Sequence, residues 1–260
     1  QRQMCIRDRI VTERRVEGWD EFLALLDASE ATYSVGWLDA TARGNALGRG
    51  ILEEAETGAG LVPPAKRGKR VPLDAPAFAL SPGIVRTFNA AYWRRVPEKG
   101  RTVVKPIDDF FFPLDKIHDW NRLYGKTGFH QFQCVVPIEA SAALRTMLDR
   151  IAGSGLASPL AVLKRMGPGR AGMMSFPMEG YTLAVDFPNR NGADRLIGEL
   201  ERATADAGGR IYLAKDALAA PETVRAIYSE RAKWAKTVKT ADPYGHFLTD
   251  IVRRLELRST

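Results

Sequence analysis

Residues 129–136 read FHQFQCVV. In an extended chain Phe129, Gln131, Gln133 and Val135 fall on one face, and His130, Phe132, Cys134 and Val136 on the other. The alternation predicts a strand with one apolar face. The face carrying two glutamines lines something polar or meets water. Pro137 cannot donate to a ladder and ends the strand. Residues 138–152 then space their apolar side chains at helical intervals.

Working outward gives more of the same units. Residues 10–16 alternate and predict a strand. In 19–28, Trp19, Phe22, Leu23, Leu25 and Leu26 make a helical face. Residues 31–39 and 46–54 predict two strands joined at the Gly44-Asn45 turn. Residues 61–82, rich in Pro, Lys and Arg, show no period and read as a long loop. A helix is expected from Ser81 or Pro82 through Tyr92. Residues 101–112 predict a strand ending in three phenylalanines, and Asp115 an N-cap for a short helix through Trp120.

Downstream, strands are predicted over 158–166 and 181–187, with Gly167-Pro168-Gly169 as a turn and Pro188 as a stop. A helix over 192–207 is closed by Gly208-Gly209. A short strand over 211–214 and helices beyond Pro221 complete the chain. Strands and helices with antiparallel-friendly turns predict an α+β fold: an antiparallel sheet with helices on one face.

The 260 residues carry 38 Lys and Arg against 31 Asp and Glu, a formal charge of +7. That excess favours an anionic partner such as a phosphorylated ligand, a nucleic acid or an anionic membrane surface. The basic residues are dispersed except for Lys66, Arg67, Lys69 and Arg70, which read as a solvated loop. No aromatic-interleaved basic stripe is present, so nucleic acid is not expected. No apolar run reaches membrane-spanning length. His118, His130 and His246 are scattered and Cys5 and Cys134 have no metal-ligand spacing, so no metal site is expected. Cys134, in its apolar alternation, reads as core. Residues 1–9 (QRQMCIRDR) lack a signal-peptide layout and read as a non-native leader, Cys5 included.

Several motifs fail on inspection. Gly44, Gly48 and Gly50 do not fit a dinucleotide fingerprint and sit in a hairpin. Tyr212 and Lys215 are three residues apart, not the four of a reductase Tyr-Lys pair. There is no GxSxG elbow.

A longer constellation goes further. Phe112-Pro113-Leu114-Asp115, Asp119-Trp120-Asn121-Arg122, Tyr124-Gly125, Gly128-Phe129 and Gln131-Phe132-Gln133 lie in one segment. They are followed by Lys164, Gly167-Pro168, Ser175-Phe176-Pro177, Gly180 and Val185-Asp186-Phe187-Pro188. Gly208-Gly209-Arg210, Tyr212, Ala214-Lys215-Asp216, Asp242-Pro243, Asp250 and Arg253-Arg254-Leu255-Glu256-Leu257 close the series. Together these resemble the decaprenylphosphoryl-β-D-ribose 2′-oxidase family, a vanillyl-alcohol-oxidase-like branch of FAD-linked oxidases related to D-arabinono-1,4-lactone oxidases. The resemblance covers nearly all of 10–257 and is densest from Phe112 onward.

The resemblance implies a bacterial flavoprotein of cell wall biosynthesis with two domains, of which this chain is the C-terminal portion. Residues 10–209 would be the substrate (cap) domain. Residues 210–260 would be a helical segment returning to complete an FAD domain whose glycine-rich half is not in these residues. The implied reaction oxidises the 2′-hydroxyl of a polyprenylphosphoryl ribose to a ketone, with hydride passing to FAD and the proton to a base. A short-chain reductase partner and a peripheral membrane contact are also implied, with a cytoplasmic or membrane-peripheral location. The fragment alone would be inactive.

Residue by residue, Lys215 matches the family's active-site lysine beside the flavin, and Tyr212 packs near it. Gln131 and Gln133 match pocket-lining glutamines, Lys164 a pocket lysine able to meet a phosphate, and Trp37 a pocket tryptophan. Leu114, Asn121 and Arg122 lie in an implied lid. Ala184 replaces a cysteine of actinobacterial relatives and Phe111-Phe112 a Tyr-His pair; both changes bear on the substrate more than on the flavin. Two other readings stay open: an aldonolactone oxidase, and a non-catalytic ligand-binding module.

Overall fold

In the computed structural model, residues 8–58, 68–169 and 172–258 are described. An eight-stranded sheet runs through them. In chain order its strands are β1 (Asp8–Val16), β2 (Tyr33–Leu38), β3 (Gly50–Gly58), β5 (Arg101–Pro106), β7 (Phe129–Val136), β8 (Ala161–Met166), β9 (Gly180–Pro188) and β10 (Arg210–Ile211). Their spatial order is β10-β7-β9-β8-β2-β3-β1-β5, and every pairing is antiparallel. A separate parallel pair joins β4 (Lys69–Arg70) to β6 (Ile117–His118). The helices are α1 (Trp19–Asp27), α2 (Pro82–Arg94), α3 (Ile107–Phe111), α4 (Ser141–Ser154), α5 (Ala193–Asp206), α6 (Pro221–Ile227), α7 (Arg231–Ala241) and α8 (Asp250–Arg254). The α+β class and the antiparallel sheet are as expected.

Strand alternation sorts the sheet into two faces. On one, Phe132, Cys134 and Val136 of β7 and Leu183, Val185 and Phe187 of β9 meet Trp19 and Phe22 of α1, Leu144 and Met147 of α4, and Leu200 of α5. This is the main core. Burying such a side chain is worth about 1.5–3 kcal/mol. Val224, Tyr228, Val252, Leu255 and Leu257 join the same core, and Tyr228 donates its hydroxyl to Ile211 O at 2.8 Å. Glycine at position 36 is required by this packing, since a Cβ there would lie 2.5 Å from the Phe22 ring.

The opposite face is covered unevenly. At its β1-β3-β5 side, Val11, Ala55 and Phe110 form a small cluster. In the middle α2 lies across it, with Trp93, and Val96 just beyond the helix end, against Ile51 and with Trp37 and Tyr92 beside them. Two helices, α2 and α3, therefore pack on the face away from the main core. Among the described residues no α-helix covers this face over β8, β9 and β7, and the side chains there form the candidate site.

Four local expectations are corrected. The 101–112 strand ends at Pro106, after which Ile107–Phe111 turns into α3, with Asp108 and Asp109 in its first turn and Phe112 N–H donating to Asp108 O at 2.8 Å. Asp115 caps no helix. The chain forms β6 there and then a 3-10 turn, Trp120–Tyr124, entered through Asp119 at φ 58°. The strand expected over 211–214 is only Arg210–Ile211, followed by a 3-10 turn at Leu213–Lys215. The strand expected over 46–54 starts instead at Gly50, because a 3-10 turn occupies Gly44–Ala46.

The leader expected over 1–9 falls mostly outside the described residues. Its last two positions, however, belong to β1, where Arg9 is buried and its guanidinium lies 5.0 Å from the Tyr33 ring centroid. Cys5, Lys66 and Arg67 also lie outside the described residues.

Candidate active site

The register across β7, β9, β8 and β2 decides which side chains meet. Gln131 pairs with Asp186, Gln133 with Ala184, Val162 with both Ala184 and Trp37, and Lys164 with Thr182. Since Phe132, Leu183 and Leu163 point to the main core, these residues project together from the other face. Tyr212 N–H donates to Gln133 O at 2.8 Å, and Lys215 N–H to Tyr212 O at 2.9 Å. The turn at 213–215 is thereby bound to the edge of β7. Lys215, Gln131, Gln133, Lys164 and Trp37, named from scattered positions, come to one surface.

The polar contacts are specific. Gln131 Nε2 donates to Asp186 Oδ1 at 3.0 Å, and Gln133 Nε2 to Thr182 Oγ1 at 3.2 Å. The Tyr124 hydroxyl lies 3.2 Å from Asp186 Oδ2 and 3.1 Å from Ser158 Oγ. Asp186 and Ser158 are both buried. Burial pushes the Asp186 carboxyl above its ordinary pKa, against the opposing pull of Gln131, Lys215 and Tyr124. Burial pushes the Tyr124 phenol up too, with the Asp186 charge adding to it.

The two lysines are electrostatically exposed. Desolvation lowers the Lys164 and Lys215 pKa values; at Lys215 the nearby Asp186 pulls upward and Lys164 pushes further down. Among the described residues neither ammonium has a carboxylate within ion-pair distance. Lys164 is exposed and Lys215 half-buried, so the pair presents positive charge at an open surface, a setting that suits an anion or an electron-rich group.

Aromatic residues bound this surface. Trp37 donates Nε1–H to Pro159 O at 2.9 Å, and its ring centroid lies 4.7 Å from that of Tyr92, which stacks on the exposed Phe88 at 5.9 Å. At the opposite end Tyr124 stacks on Phe129 at 4.2 Å. Tyr212, partly exposed, lies 4.8 Å from the Phe176 ring. Tyr124 belongs to the same 3-10 turn as Asn121 and Arg122, and so joins that turn to the site. Arg122 itself points elsewhere: Nη1 donates to Pro72 O at 2.7 Å and Nε lies 3.9 Å from Asp74. Leu114 and Asn121 lie in the same stretch of chain, at 112–124, with Asn121 exposed.

Asp186, Tyr124, Ser158 and Thr182 were not picked out from sequence as site residues. The alternation of YTLAVDF does place Thr182, Ala184 and Asp186 on one face. What single-strand reading lacks is the β7–β9 register that sets this face beside the glutamines. Cys134 is fully buried with its thiol pushed up to about 12, and so behaves as core. Among the described residues no group of three or more His, Cys, Asp or Glu is placed to hold a metal ion. No described helix is long and apolar enough to cross a membrane.

Comparison with known proteins places the chain. It is 36% identical over 251 residues to the decaprenylphosphoryl-beta-D-ribose oxidase of Mycolicibacterium smegmatis, a match covering 92% of this chain and 55% of that protein. It is 30% identical over 264 residues to a Streptomyces coelicolor protein named "Uncharacterized protein in mprA 5'region", covering 94% of this chain and 71% of that one. The chain belongs to the decaprenylphosphoryl-ribose oxidase family. It spans about half the length of the curated oxidase it matches. No family model matches the chain.

Proposed function

We propose that this chain is the substrate-facing portion of an FAD-dependent oxidoreductase that oxidises a secondary sugar alcohol, the 2′-hydroxyl of a polyprenylphosphoryl ribose, to a ketone. The observation that carries the proposal is the pair of cations beside Gln131 and Gln133, Lys164 on β8 and Lys215 in the turn bound to β7, neither within ion-pair distance of a carboxylate among the described residues. An isoalloxazine ring fits beside such a cation, because an ammonium without a carboxylate partner is free to hold the electron-rich edge of a ring. Lys215, with Tyr212 next to it, is the residue assigned to that contact. When bound, the flavin supplies the acceptor for the hydride.

The chain's own residues do the rest. Gln131 and Gln133 hydrogen-bond sugar hydroxyls from a rigid strand, where a missing hydroxyl would leave a polar group unpaired. Lys164 meets the phosphate. Trp37, braced by Tyr92 and Pro159, offers an apolar wall to the sugar or the start of the prenyl chain. Leu114, Asn121 and Arg122 belong to a segment covering the substrate, with Arg122 tying it to 72–74. Residues 10–209 act as the substrate domain and 210–260 as the segment that also meets the FAD domain. A short-chain reductase completes the conversion, and the protein works in the cytoplasm or peripherally at a membrane.

The test uses the protein extended to the full length of the matched oxidase. It is expected to purify yellow, and its flavin to bleach anaerobically with a prenylphosphoryl ribose. Bleaching by aldonolactones alone would assign it to lactone oxidation instead. Absence of flavin would reduce the chain to a ligand-binding module.

A further inference from the structure

The chemistry of Asp186 has a consequence for which atoms the glutamines show to a ligand. The Gln131 amide has an NH2 end that donates and a carbonyl end that accepts. Here the partner is a carboxylate, which when ionised only accepts, so the NH2 end must face Asp186 Oδ1 at 3.0 Å. Oδ2 of the same carboxylate faces the Tyr124 hydroxyl at 3.2 Å. Tyr124 is held in turn. Its oxygen lies 3.1 Å from Ser158 Oγ, and Ser158 Oγ accepts from Leu160 N–H at 3.1 Å. Because the ionised carboxylate only accepts, the single Tyr124 proton goes to Asp186, and the Ser158 hydroxyl is left to donate to the Tyr124 oxygen.

The relay thus runs one way, from the Leu160 amide through Ser158 and Tyr124 into Asp186. It leaves the carboxylate as the common acceptor of Tyr124 and Gln131. Asp186 is 3% exposed and cannot turn to water for its partners. The Asp186 backbone is fixed as well: its N–H donates to Leu160 O and its carbonyl accepts from Ser158 N–H, both at 3.1 Å. Gln133 spends its own NH2 end on Thr182 Oγ1 at 3.2 Å. Among the described residues neither glutamine carbonyl oxygen has a protein donor, and both glutamines are partly exposed.

We propose that Asp186 is a positioning residue: by accepting Gln131 on one oxygen and Tyr124 on the other, it turns the Gln131 carbonyl outward beside that of Gln133, and so makes this surface select a ligand offering two hydroxyl donors. The geometry of Asp186 stands by itself. That the donors belong to a sugar under oxidation rests on the function proposed above. A ligand whose hydroxyls are methylated or replaced by ether oxygens would face two acceptors with two acceptors and be refused.

Two measurements keep the parts separate. The first needs only the 260-residue chain. Side-chain amide resonances of Gln131 are followed by 15N NMR in the wild type, Asp186→Asn and Asp186→Glu, with 13C-methylated lysines reporting the Lys215 titration. The charged groups facing Asp186 are Lys215 and, beyond it, Lys164, with the Tyr124 phenol as the other titrating neighbour. In Asp186→Asn the Gln131 amide signals are expected to move and Lys215 to titrate at lower pH, because a neighbouring negative charge is gone. Asp186→Glu restores the Lys215 titration towards the wild type. A merely structural aspartate would lower the melting temperature in both variants and leave the signals of the folded fraction unmoved. Unmoved Gln131 and Lys215 signals in Asp186→Asn overturn the proposal. Should Asp186→Asn fail to fold, Tyr124→Phe supplies the reading: the Gln131 signals keep their positions if Asp186 alone fixes the amide, and their collapse to free-amide values overturns it.

The second uses the full-length protein. Asp186→Asn is expected to raise KM for the sugar about tenfold or more with a much smaller change in kcat, the mark of lost ground-state binding. A fall in kcat at constant KM contradicts the assignment. If the full-length protein carries no flavin while the amide signals shift as expected, the oxidase reading fails and the positioning role stands.

Discussion

Glu13 and Glu201 are both buried carboxylates, yet their surroundings drive them in opposite directions. Burial alone would push Glu13 up. Hydrogen bonds from Lys105 and Arg101, with the charge of Arg95 behind them, outweigh that and hold it down to about 2. Glu201 has a backbone N–H from Ala220 and more distant arginines, too little to offset desolvation, and rises to about 7. The signs follow by linkage. A folded-state pKa below the unfolded 4.5 means that Glu13 stabilises the fold above pH 4.5 and loses that contribution as pH falls towards 2. A folded-state pKa above 4.5 means that the Glu201 site is neutral to stability below pH 4.5 and costs increasingly as pH rises to about 7. Glu201→Gln is therefore expected to stabilise the protein at pH 8 by about 1–3 kcal/mol and to change little at pH 4. Glu13→Gln is expected to destabilise it at pH 7 by a few kcal/mol, since it strands cations beside a buried site. Urea titrations at pH 4, 7 and 8 check both; equal effects at pH 4 and pH 8 for Glu201→Gln would contradict its assignment.

Among the elements, β7 was fully legible because strict alternation over eight residues and a terminal proline leave one period and one stop. The helices α4 and α5 were legible for the corresponding reason, an apolar stripe at 3.6-residue spacing. The 101–112 stretch misled because strand-favouring residues stand at both its ends, Thr102-Val103-Val104 and Phe110-Phe111-Phe112. The break at Pro106 and the acidic first turn of α3 decided otherwise. Asp119 hid a left-handed turn that composition does not mark. At the site, the residues that resemble a known family were legible and their partners were not. Asp186 becomes meaningful only when β9 is laid against β7 in register, a long-range fact. Packing at the element level carries its own test. A methyl group at position 36 would collide with the Phe22 ring, so Gly36→Ala is expected to cost about 1–3 kcal/mol and to lower the melting temperature by several degrees. An unchanged melting temperature would mean that α1 does not dock against β2 as described.

The whole molecule combines one sealed face with one partly open face. The sealed face draws on both ends of the described chain, from Val16 and Trp19 to Leu255 and Leu257. A chain ending at Gly209 is therefore expected to be insoluble or molten, since it strips Val224, Tyr228, Val252, Leu255 and Leu257 from the core; a cooperative melt of that fragment would show 210–258 to be dispensable to the fold. The open face is where Lys164, Lys215, the glutamines and Asp186 gather, and it is the face on which the proposed flavin contact is tested. The most direct measurement of that relation is anaerobic stopped-flow reduction of the flavin by a prenylphosphoryl ribose in the full-length protein, comparing wild type with Lys215→Ala. A flavin still bound but reduced at least about a hundredfold more slowly is the expected result for a cation lost from the reacting centre. Reduction at the wild-type rate would contradict the placement of Lys215 against the flavin.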